Sequence, residues 1–373
     1  MKKIRHLLGI SGGKDSAALA IYMKNNYPDL NIEYYTTDTG KELDETYELI
    51  RNLEIYLGKK IVLLTASNDE ENHGYDSFDY LLNLKFQYLP SSQARWCTQA
   101  LKLAPFEKFV GDDLVISYVG IRGDENRDGY ISKRSNIQSI FPFRKNIWSE
   151  DVVNKALQNK NITFLSELFR DCNFTISSDF TDIIQQEVNI RFTIKKKAEL
   201  LLECDTKAFN FLIFSFLQTT DYPLSNSDDF ELINNNDILV KEDIFRILRE
   251  SGVGVPKYYD KIEFEVDGKK GEYSRSRSGC YFCFFQQKIE WVWLYEQHPD
   301  LFQKALDYEK KGYTWNENES LAQLILPERI KRIKEDYIKK DNDKKQKANI
   351  SSKLIDILSD YEDGEIGCAA CFI

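Results

Sequence analysis

The amino-acid sequence predicts an α/β fold built on a doubly wound parallel sheet. Strand-like and helix-like segments alternate over the first 65 residues, which is the pattern of consecutive β-α-β units. The first apolar run, residues 4–10, leads into a turn with two adjacent glycines, and the second strand-like run ends in Asp38-Thr39-Gly40. Because parallel strands present their carboxyl ends on one edge of a sheet, we expect both turns to lie beside a ligand.

The first 150 residues contain five segments that favour strands, separated by segments that favour helices. The strand segments are rich in β-branched and aromatic residues and are bounded by polar or glycine-containing turns. The helical segments follow capping residues or begin with small residues that can pack closely on a sheet. The predicted strands are residues 4–10, 31–37, 60–65, 114–119 and 140–144, and the predicted helices are residues 17–26, 43–57 and a capped helix that opens at 148–153.

The rest of the chain divides into a helical block and a cysteine-bearing region. The block contains no glycine and has the spacing of several amphipathic helices, and its Cys172 and Cys204 are expected to be core thiols. We therefore expect an α/β nucleotide-binding domain over residues 1–154, an inserted helical region over 155–235 and a C-terminal region over 236–373. The helices predicted beyond residue 154 are 162–169, 192–204, 208–219, 241–251, a pair within 290–308 that breaks at His298-Pro299, and 329–347.

Composition narrows the classes of function. The chain has 373 residues, a formal net charge of −10 and seven cysteines. That charge argues against a protein that coats nucleic acid, although a local basic patch is compatible with it. The sequence opens without an apolar signal segment and has no run of membrane-spanning length, so we expect a cytoplasmic protein without membrane contact. In that compartment cysteines are more often ligands or redox groups than structural disulfides.

The turn after the first strand has chemistry suited to a phosphate group. Its residues are Ser11-Gly12-Gly13-Lys14-Asp15-Ser16, here called the cradle. Two glycines let the backbone approach a ligand closely, and the N–H groups that open the following helix attract an anion. Two serine hydroxyls and the lysine charge add to this preference. The order of residues differs from the Walker pattern.

Two further turns supply polar groups on the same predicted edge. The residues Asp38-Thr39-Gly40-Lys41-Glu42 follow the second strand, and they also suit a helix cap with an acidic first turn. Gly120-Ile121-Arg122 follows the fourth strand. The planar guanidinium of Arg122 matches an oxyanion, and a salt bridge with Asp124 or Glu125 is the alternative interpretation.

A second distinctive stretch is Cys280-Tyr281-Phe282-Cys283, which follows Gly279. A Cys-x-x-Cys pair on a tight turn lets two thiolates reach one metal site, and the aromatic neighbours would shield the sulfurs from water. The residues alone leave three interpretations open: an iron–sulfur cluster, a tetrahedral zinc site, and a thioredoxin-like dithiol.

Together these motifs resemble the PP-loop ATP pyrophosphatases, and among them the phosphoadenosine phosphosulfate (PAPS) reductase-like family. The cradle is similar to the superfamily's Ser-Gly-Gly-Lys-Asp-Ser loop, residues 38–42 to its Asp-Thr-Gly-x-Glu signature, and residues 120–125 to its Gly-Ile-Arg-x-Asp-Glu stretch. The resemblance covers residues 1–150 and 238–318. It is closest to the sulfur-incorporating ATPase of DNA phosphorothioation systems, and it implies a Rossmann-like sheet that carries a PP-loop.

The resemblance implies an activity and its residues. ATP would bind with Mg²⁺, and attack on its α-phosphate would release pyrophosphate and leave an adenylate. Lys14, Asp15 and Asp38 would act in catalysis. The residues implied to bind the nucleotide are Ser11, Gly12, Gly13, Lys14, Asp15, Ser16, Asp38, Thr39, Gly40, Glu42, Gly120 and Arg122.

The resemblance also implies a [4Fe–4S] cluster bound by Cys97, Cys280 and Cys283. Residues 97–105 resemble the family's Cys-Cys-x-x-x-Lys-x-x-Pro stretch, with Thr98 in place of the second cysteine. Three cysteine ligands would leave one iron open to bind sulfide, as in the cluster-dependent thiolation enzymes of this superfamily. A fourth ligand from the end of the chain is the alternative.

The last residues of the sequence contain a second Cys-x-x-Cys pair, Cys368 and Cys371, among small residues. These cysteines are expected to carry sulfur or electrons to the active site, or to bind the cluster; fraying without a role is the alternative. True reductases of the family keep a reactive cysteine in a Glu-Cys-Gly-Leu-His-like motif that this sequence lacks. That absence weakens a reductase assignment.

We therefore expect an enzyme that adenylates an acceptor and assists the transfer of sulfur to it. The expected acceptor is a nucleic acid in an anti-phage or DNA-modification system, and the expected sulfur donor is a protein such as a cysteine desulfurase, within a protein complex or a homo-oligomer. Two other classes stay open. One is a sulfonucleotide reductase with Cys368 or Cys371 as nucleophile, and the other is a nucleotide-binding scaffold without turnover.

The helix over residues 329–347 contains many lysines interspersed with acids, which favours a solvated surface. In the alternative interpretation, these lysines join Arg275, Arg277 and Lys288 in a basic patch that meets a nucleic-acid backbone.

Overall fold

The computed structural model describes residues 3–66, 76–125, 132, 134–169, 176–309 and 312–348. A five-stranded parallel sheet with flanking helices lies within these residues, so the predicted α/β class is confirmed and is consistent with a Rossmann-like fold. A separate antiparallel hairpin follows later in the chain. The strands are β1 (Ile4–Gly9), β2 (Ile32–Thr37), β3 (Ile61–Leu64), β4 (Leu114–Tyr118), β5 (Ile137–Ile140), β6 (Ile262–Val266) and β7 (Lys269–Tyr273).

The strand order β3-β2-β1-β4-β5 determines where a ligand can bind. The chain moves from β1 outward to β3 and then crosses to β4 on the other side of β1. In the register of the sheet, Leu8 of β1 lies opposite Tyr34 on one side and Tyr118 on the other. Because the connections that follow β1 and β4 diverge, a crevice forms at the carboxyl ends of these two strands, where sheets of this kind bind ligands.

The predicted helices are present, with ends that differ by a few residues. The helices that were not predicted are Ser77–Leu81, Trp96–Thr98, Ala104–Val110, Ser178–Gln185 and Leu321–Leu324. No helix within the described ranges is long and apolar enough to cross a membrane. The α-helices are α1 (Lys14–Asn26), α2 (Asp44–Leu57), α3 (Ser77–Leu81), α4 (Trp96–Thr98), α5 (Ala104–Val110), α6 (Glu150–Ala156), α7 (Ile162–Leu168), α8 (Ser178–Gln185), α9 (Ile194–Cys204), α10 (Thr206–Leu217), α11 (Lys241–Glu250), α12 (Lys288–Gln297), α13 (Pro299–Tyr308), α14 (Leu321–Leu324) and α15 (Pro327–Ala348).

The last strand of the sheet lies earlier in the chain than predicted. The sequence favoured a strand at residues 140–144, whereas β5 ends at Ile140. Pro142 has no N–H group for a ladder hydrogen bond, and the chain turns there, with the Arg144 N–H donating to the Phe141 carbonyl at 3.2 Å. Proline therefore ends the pairing that the surrounding aromatic residues would favour.

Two large apolar cores and two smaller clusters lie within the described residues. The first includes side chains from β1 and α1 and from the helical block, for example Leu8, Phe180 and Phe209. The second includes Phe78 and the aromatic side chains of the C-terminal region. The expectation that Cys204 is a core thiol was wrong, because this last residue of α9 is exposed. Cys172 lies outside the described residues.

Candidate functional site

The cradle connects β1 to α1 at the crevice. Gly13 is extended and precedes Lys14, the first residue of α1. The Ser16 hydroxyl donates to the Gly13 carbonyl at 3.2 Å, and the Ser11 N–H donates to the Ser16 oxygen at 3.1 Å. The hydroxyls of Ser11 and Ser16 also lie 3.1 Å apart. Both predicted serines thus hold the shape of the turn.

The two cradle glycines are required by packing as well as by any ligand. Gly12 has a φ of +72°, and a Cβ atom there would lie 2.2 Å from Thr46 Cγ2 on α2. A Cβ atom on Gly13 would lie 2.6 Å from Ser278 Oγ. On the neighbouring strand, a Cβ on Gly120 would lie 2.9 Å from the Asp15 carbonyl oxygen. The cradle is therefore enclosed by α2, the residues after β4 and the segment that carries Cys280.

An ion-pair network occupies the cradle. Asp15 accepts from Lys14 Nζ at 3.0 Å and from Arg122 Nη1 at 2.8 Å, and the Arg122 side chain also pairs with Asp124 and Glu125. Burial opposes ionisation of Asp15, but the charges of Lys14 and Arg122 outweigh it and lower the pKa of the carboxyl. The predicted Arg122 salt bridges are thus present, and the same guanidinium also reaches the cradle.

Lys241 is a third cation near the cradle, and it was not among the residues predicted from the sequence. The Gly123 N–H donates to the Leu239 carbonyl at 2.9 Å, which fixes the start of α11 beside Arg122. Desolvation and then the charges of Lys14 and Arg122 lower the pKa of Lys241, although part of its side chain stays exposed. A lysine as the first residue of a helix is unfavourable next to the positive end of the helix dipole. This unfavourable position is the one feature of the sequence that could have marked Lys241 as a functional residue.

Two tyrosines from the C-terminal region cover the cradle. The Tyr258 hydroxyl donates to the Gly12 carbonyl at 3.1 Å. The Lys14 N–H donates to the Tyr259 hydroxyl at 3.4 Å, and Lys14 Nζ lies 5.0 Å from the centroid of the Tyr259 ring. The Tyr259 oxygen thus accepts a hydrogen bond from an N–H group at the helix N-terminus that a bound phosphate oxygen would otherwise accept.

The turn after β2 forms a carboxylate pair. Asp38 Oδ1 accepts from the Gly40 N–H at 2.7 Å and lies 2.9 Å from the Tyr47 hydroxyl, which also lies 3.2 Å from Glu42 Oε2. The Thr39 hydroxyl donates to Glu42 Oε1 at 2.8 Å. Burial and then the charge of Asp38 raise the pKa of Glu42 to about 7. Burial and the neighbouring Asp38 thus both disfavour the ionised form of Glu42.

The Cys280–Cys283 turn lies against this carboxylate pair. Cys280 Sγ is 3.1 Å from the Thr39 hydroxyl and 3.9 Å from Glu42 Oε1, and the Tyr281 N–H donates to the Lys41 carbonyl at 2.9 Å. Burial and then the Glu42 charge raise the pKa of the Cys280 thiol well above its ordinary value. The structure therefore brings Thr39 and Glu42, which the resemblance assigns to nucleotide binding, against the cysteine turn.

Cys97 packs against the same apolar core as Cys280. The Arg95 guanidinium lies 5.0 Å from the centroid of the Phe285 ring, so the Cys97 segment borders the cysteine turn. Among the residues that the structure describes, no group of three histidine, cysteine or acidic side chains is spaced to hold a single metal ion. A cluster separates its cysteine ligands with iron and sulfide atoms and therefore needs a wider spacing than one ion does.

Arg275 is an unusual buried cation beside the cysteine turn. Its side chain is 2% exposed, and Nη2 donates to the Cys280 carbonyl and to Gln286 Oε1, each at 3.1 Å. Its Nε and Nη1 atoms find no hydrogen-bond partner within the described part of the chain. A buried guanidinium with unused donors fits an anionic group near Cys280, such as a cluster held by thiolates.

The described charges on the surface support the expected solvated helix rather than the alternative basic patch. Arg275 is buried, so its place in a basic surface patch was wrong. Lys288 pairs with Glu319 at 2.7 Å, and Arg329 pairs with the same carboxylate. Lys334 of α15 pairs with Glu296 at 2.6 Å. The solvated, internally paired surface was therefore the better interpretation of these charges. Cys368 and Cys371 lie outside the described residues.

Comparisons with known proteins give little further information. No family model matches the chain, and no solved structure matches it significantly. The chain is similar to an uncharacterized protein of Methanocaldococcus jannaschii, with 31% identity over 169 residues. The match covers 41% of this chain and 32% of that protein, so the chain spans about a third of the length of the relative.

Proposed function

We propose that this chain is an ATP pyrophosphatase of the PP-loop, PAPS reductase-like kind that adenylates a nucleic-acid acceptor and assists its thiolation. The observation that carries the proposal is the convergence of Lys14, Arg122 and Lys241 on a glycine-rich turn between the ends of β1 and β4. Three cations beside a helix N-terminus suit a polyphosphate. Asp15 already pairs with two of these cations, Lys14 and Arg122.

In the proposed first step, an acceptor oxygen attacks the α-phosphorus of ATP. The bond from that phosphorus to pyrophosphate breaks as the new bond forms, which leaves the acceptor as its AMP ester. Lys14, Arg122 and the first N–H groups of α1 offset the charge that grows on the phosphate oxygens. Asp38 would hold the Mg²⁺ that accompanies ATP, because a hard cation prefers carboxylate oxygens, and the metal would supply positive charge to the phosphates.

In the proposed second step, sulfide displaces AMP from the acceptor. The sulfide comes from the persulfide of a donor such as a cysteine desulfurase: the thiols of Cys368 and Cys371 would reduce that persulfide, release sulfide and become a disulfide. Cys97, Cys280 and Cys283 would hold the [4Fe–4S] cluster, which supplies an open iron for sulfide when bound. Arg275 compensates the negative charge of this thiolate-rich region from its buried position. Cys368 and Cys371 are proposed to relay sulfur.

The test measures products under anaerobic conditions. The protein is incubated with Mg-ATP and sulfide, with duplex DNA or transfer RNA as acceptor, and pyrophosphate and AMP are quantified. We expect equal amounts of both, dependent on the acceptor and lost in Lys14→Gln. The matched control is Lys24→Gln in the last turn of the same helix. Sulfite release from PAPS without pyrophosphate would instead indicate a reductase, and ATP binding without either product would indicate a scaffold.

A further inference from the structure

The segment at residues 275–279, which leads into the cysteine turn, reaches the cradle through Ser278. Ser278 comes two residues before Cys280. Its hydroxyl donates to the Ser11 carbonyl at 3.5 Å, and its Oγ atom lies 2.6 Å from the position that a Cβ atom on Gly13 would take. The residue stays partly exposed to solvent. It was not among the site residues predicted from the sequence.

The Ser278 hydroxyl lies beside the start of α1, where the cradle offers N–H groups to an anion. Gly13 precedes the first residue of this helix, so the cap position makes no side-chain hydrogen bond. In many helices a side chain at this position accepts from the first N–H groups, which a glycine cannot do. Ser278 Oγ and Ser11 Oγ lie 2.6 Å and 3.4 Å from the place where such a side chain would begin. Two hydroxyls that are 267 residues apart in the chain therefore border the start of the helix.

The backbone around Ser278 is held firmly, whereas its hydroxyl is held weakly. The Arg275 N–H donates to the Tyr258 carbonyl at 2.9 Å, and the N–H and hydroxyl of Ser276 donate to Glu290 Oε1 at 2.7 Å and 2.8 Å. By contrast, the 3.5 Å bond of the Ser278 hydroxyl is longer than the usual O–H···O distance of about 2.5–3.0 Å. A hydroxyl proton rotates to suit its acceptor, and a charged phosphate oxygen is a stronger acceptor than a carbonyl. The hydroxyl can therefore turn to a bound phosphate without movement of the chain.

We propose that Ser278 is a further ligand of the cradle, which donates its hydroxyl to a phosphate oxygen of the bound polyphosphate. The inference rests on the proposed function, because it takes the cradle as the ATP site. Lys14 and Arg122 supply charge there, and Ser278 adds a directed donor beside the first N–H groups of α1. Cys280, two residues further on, has its Sγ atom 3.1 Å from the Thr39 hydroxyl. The contact would therefore fix the phosphates relative to the cysteine turn.

The test titrates inorganic pyrophosphate and ATP into the full chain by calorimetry. Pyrophosphate consists of phosphate groups alone, so its affinity reports on contacts with phosphate. We expect Ser278→Ala to bind both ligands about tenfold more weakly, which is the equivalent of one hydrogen bond to a charged group. Ser276→Ala is the matched control and should bind both as wild type does, because the Ser276 N–H still donates to Glu290. Without ligand, thermal unfolding of both variants should have the wild-type midpoint, and pyrophosphate should raise that midpoint least in Ser278→Ala.

Equal pyrophosphate affinity in wild type and Ser278→Ala would overturn the proposal, as would an equal loss in both serine variants. A weaker affinity together with a lower midpoint in the absence of ligand would assign the hydroxyl to the shape of the cradle instead. Wild-type protein that binds neither ligand would overturn this proposal and the proposed function together. A selective loss in Ser278→Ala, in a protein that releases no pyrophosphate from ATP, would overturn the proposed reaction and support the Ser278 contact.

Discussion

At the scale of single residues, Gly12 and Gly58 allow the cost of backbone strain to be distinguished from the cost of a steric clash. Its φ of +72° disfavours any side chain, and a Cβ would also collide with Thr46 Cγ2 at 2.2 Å. Gly58 has a similar φ of +64° but nothing within 4 Å of the same position. We expect Gly12→Ala to lower the free energy of unfolding by about 3 kcal/mol and Gly58→Ala by about 1 kcal/mol, as measured by urea denaturation.

A second substitution identifies the source of the difference between the two glycines. Thr46→Ser removes the methyl group that the new Cβ would meet. The double variant Gly12→Ala/Thr46→Ser should therefore recover most of the free energy of unfolding that is lost to the steric clash, and none of the free energy that is lost to backbone strain. Equal losses for Gly12→Ala and Gly58→Ala would mean that α2 moves aside at little cost.

Asp15 is predicted to stabilise the fold only when it is ionised. Its pKa is lowered because Lys14 and Arg122 outweigh burial, so its contribution is complete above the ordinary carboxyl value and is lost as the pH falls through the lower folded value. Asp15→Asn should reduce the free energy of unfolding by about 3 kcal/mol near pH 7, because two buried cations lose a partner. The difference from wild type should shrink as the pH falls below about 4.

The control for this prediction is the exposed ion pair between Lys196 and Glu199 on α9. Glu199→Gln should change the free energy of unfolding by less than about 1 kcal/mol, as is usual for a surface pair. A difference between Asp15→Asn and wild type that stays constant from neutral to acidic pH would contradict the role of the Asp15 charge.

Lys241 provides a test of the cation cluster that does not remove a motif residue. Lys241→Gln should weaken ATP binding about tenfold in calorimetric titration, because one of three converging charges is lost. Arg249→Gln lies eight residues further along α11, about 12 Å away. It should bind ATP as wild type does, and an equal loss in both variants would indicate a general effect of net charge.

At the scale of elements, the turn at Lys257–Tyr259 acts as a cover on the cradle. Tyr259→Phe removes the hydroxyl that occupies the Lys14 N–H, so a phosphate would no longer need to displace it. We expect ATP to bind about threefold more tightly, in keeping with a long, weak hydrogen bond. Tyr258→Phe is the matched control, because its hydroxyl binds the Gly12 carbonyl and should give no gain. Weaker binding by Tyr259→Phe would mean that the hydroxyl contacts the nucleotide itself.

The elements differ in how well the sequence predicts them. β1, β2 and α2 were predicted to within a residue or two, because their apolar runs and bounding turns agree. The hairpin of β6 and β7 was missed, because its residues are highly charged. Its signal was the Asp267-Gly268 pair, which adopts positive φ at both positions, as a two-residue hairpin turn requires.

The same distinction applies to the site. The cradle and the turn at residues 38–42 could be predicted, because each is a contiguous stretch at the end of a strand. Lys241 and Arg275 could not, because their positions depend on contacts between segments that lie far apart in the chain, such as Gly123 with Leu239 and Arg275 with Tyr258. Burial of Arg275 in particular has no local pattern in the sequence.

At the scale of the whole molecule, the site lies where the two apolar cores meet. The first core supports β1 and α1 below the cradle, and the second supports the cysteine turn and the Tyr258 cover. Residues 1–154 alone would therefore lack Lys241, both covering tyrosines and Cys280. We infer that both halves of the chain are needed for a complete site, and a metal shared between Cys97 and Cys280 would join them covalently.

Measuring the iron content is therefore the most direct test of whether both halves of the chain contribute to one site. Protein purified without oxygen should contain about four irons per chain, with matching acid-labile sulfide and a visible absorption band. Cys97→Ala and Cys283→Ala should each lose the iron, since one proposed ligand lies on α4 and the other on the turn beside Arg275. Cys371→Ala should keep it if three cysteines hold the cluster, and loss in this variant would make the end of the chain a fourth ligand. Wild-type protein without iron would contradict the cluster, and zinc analysis and thiol titration of the same sample would then distinguish a zinc site from a dithiol.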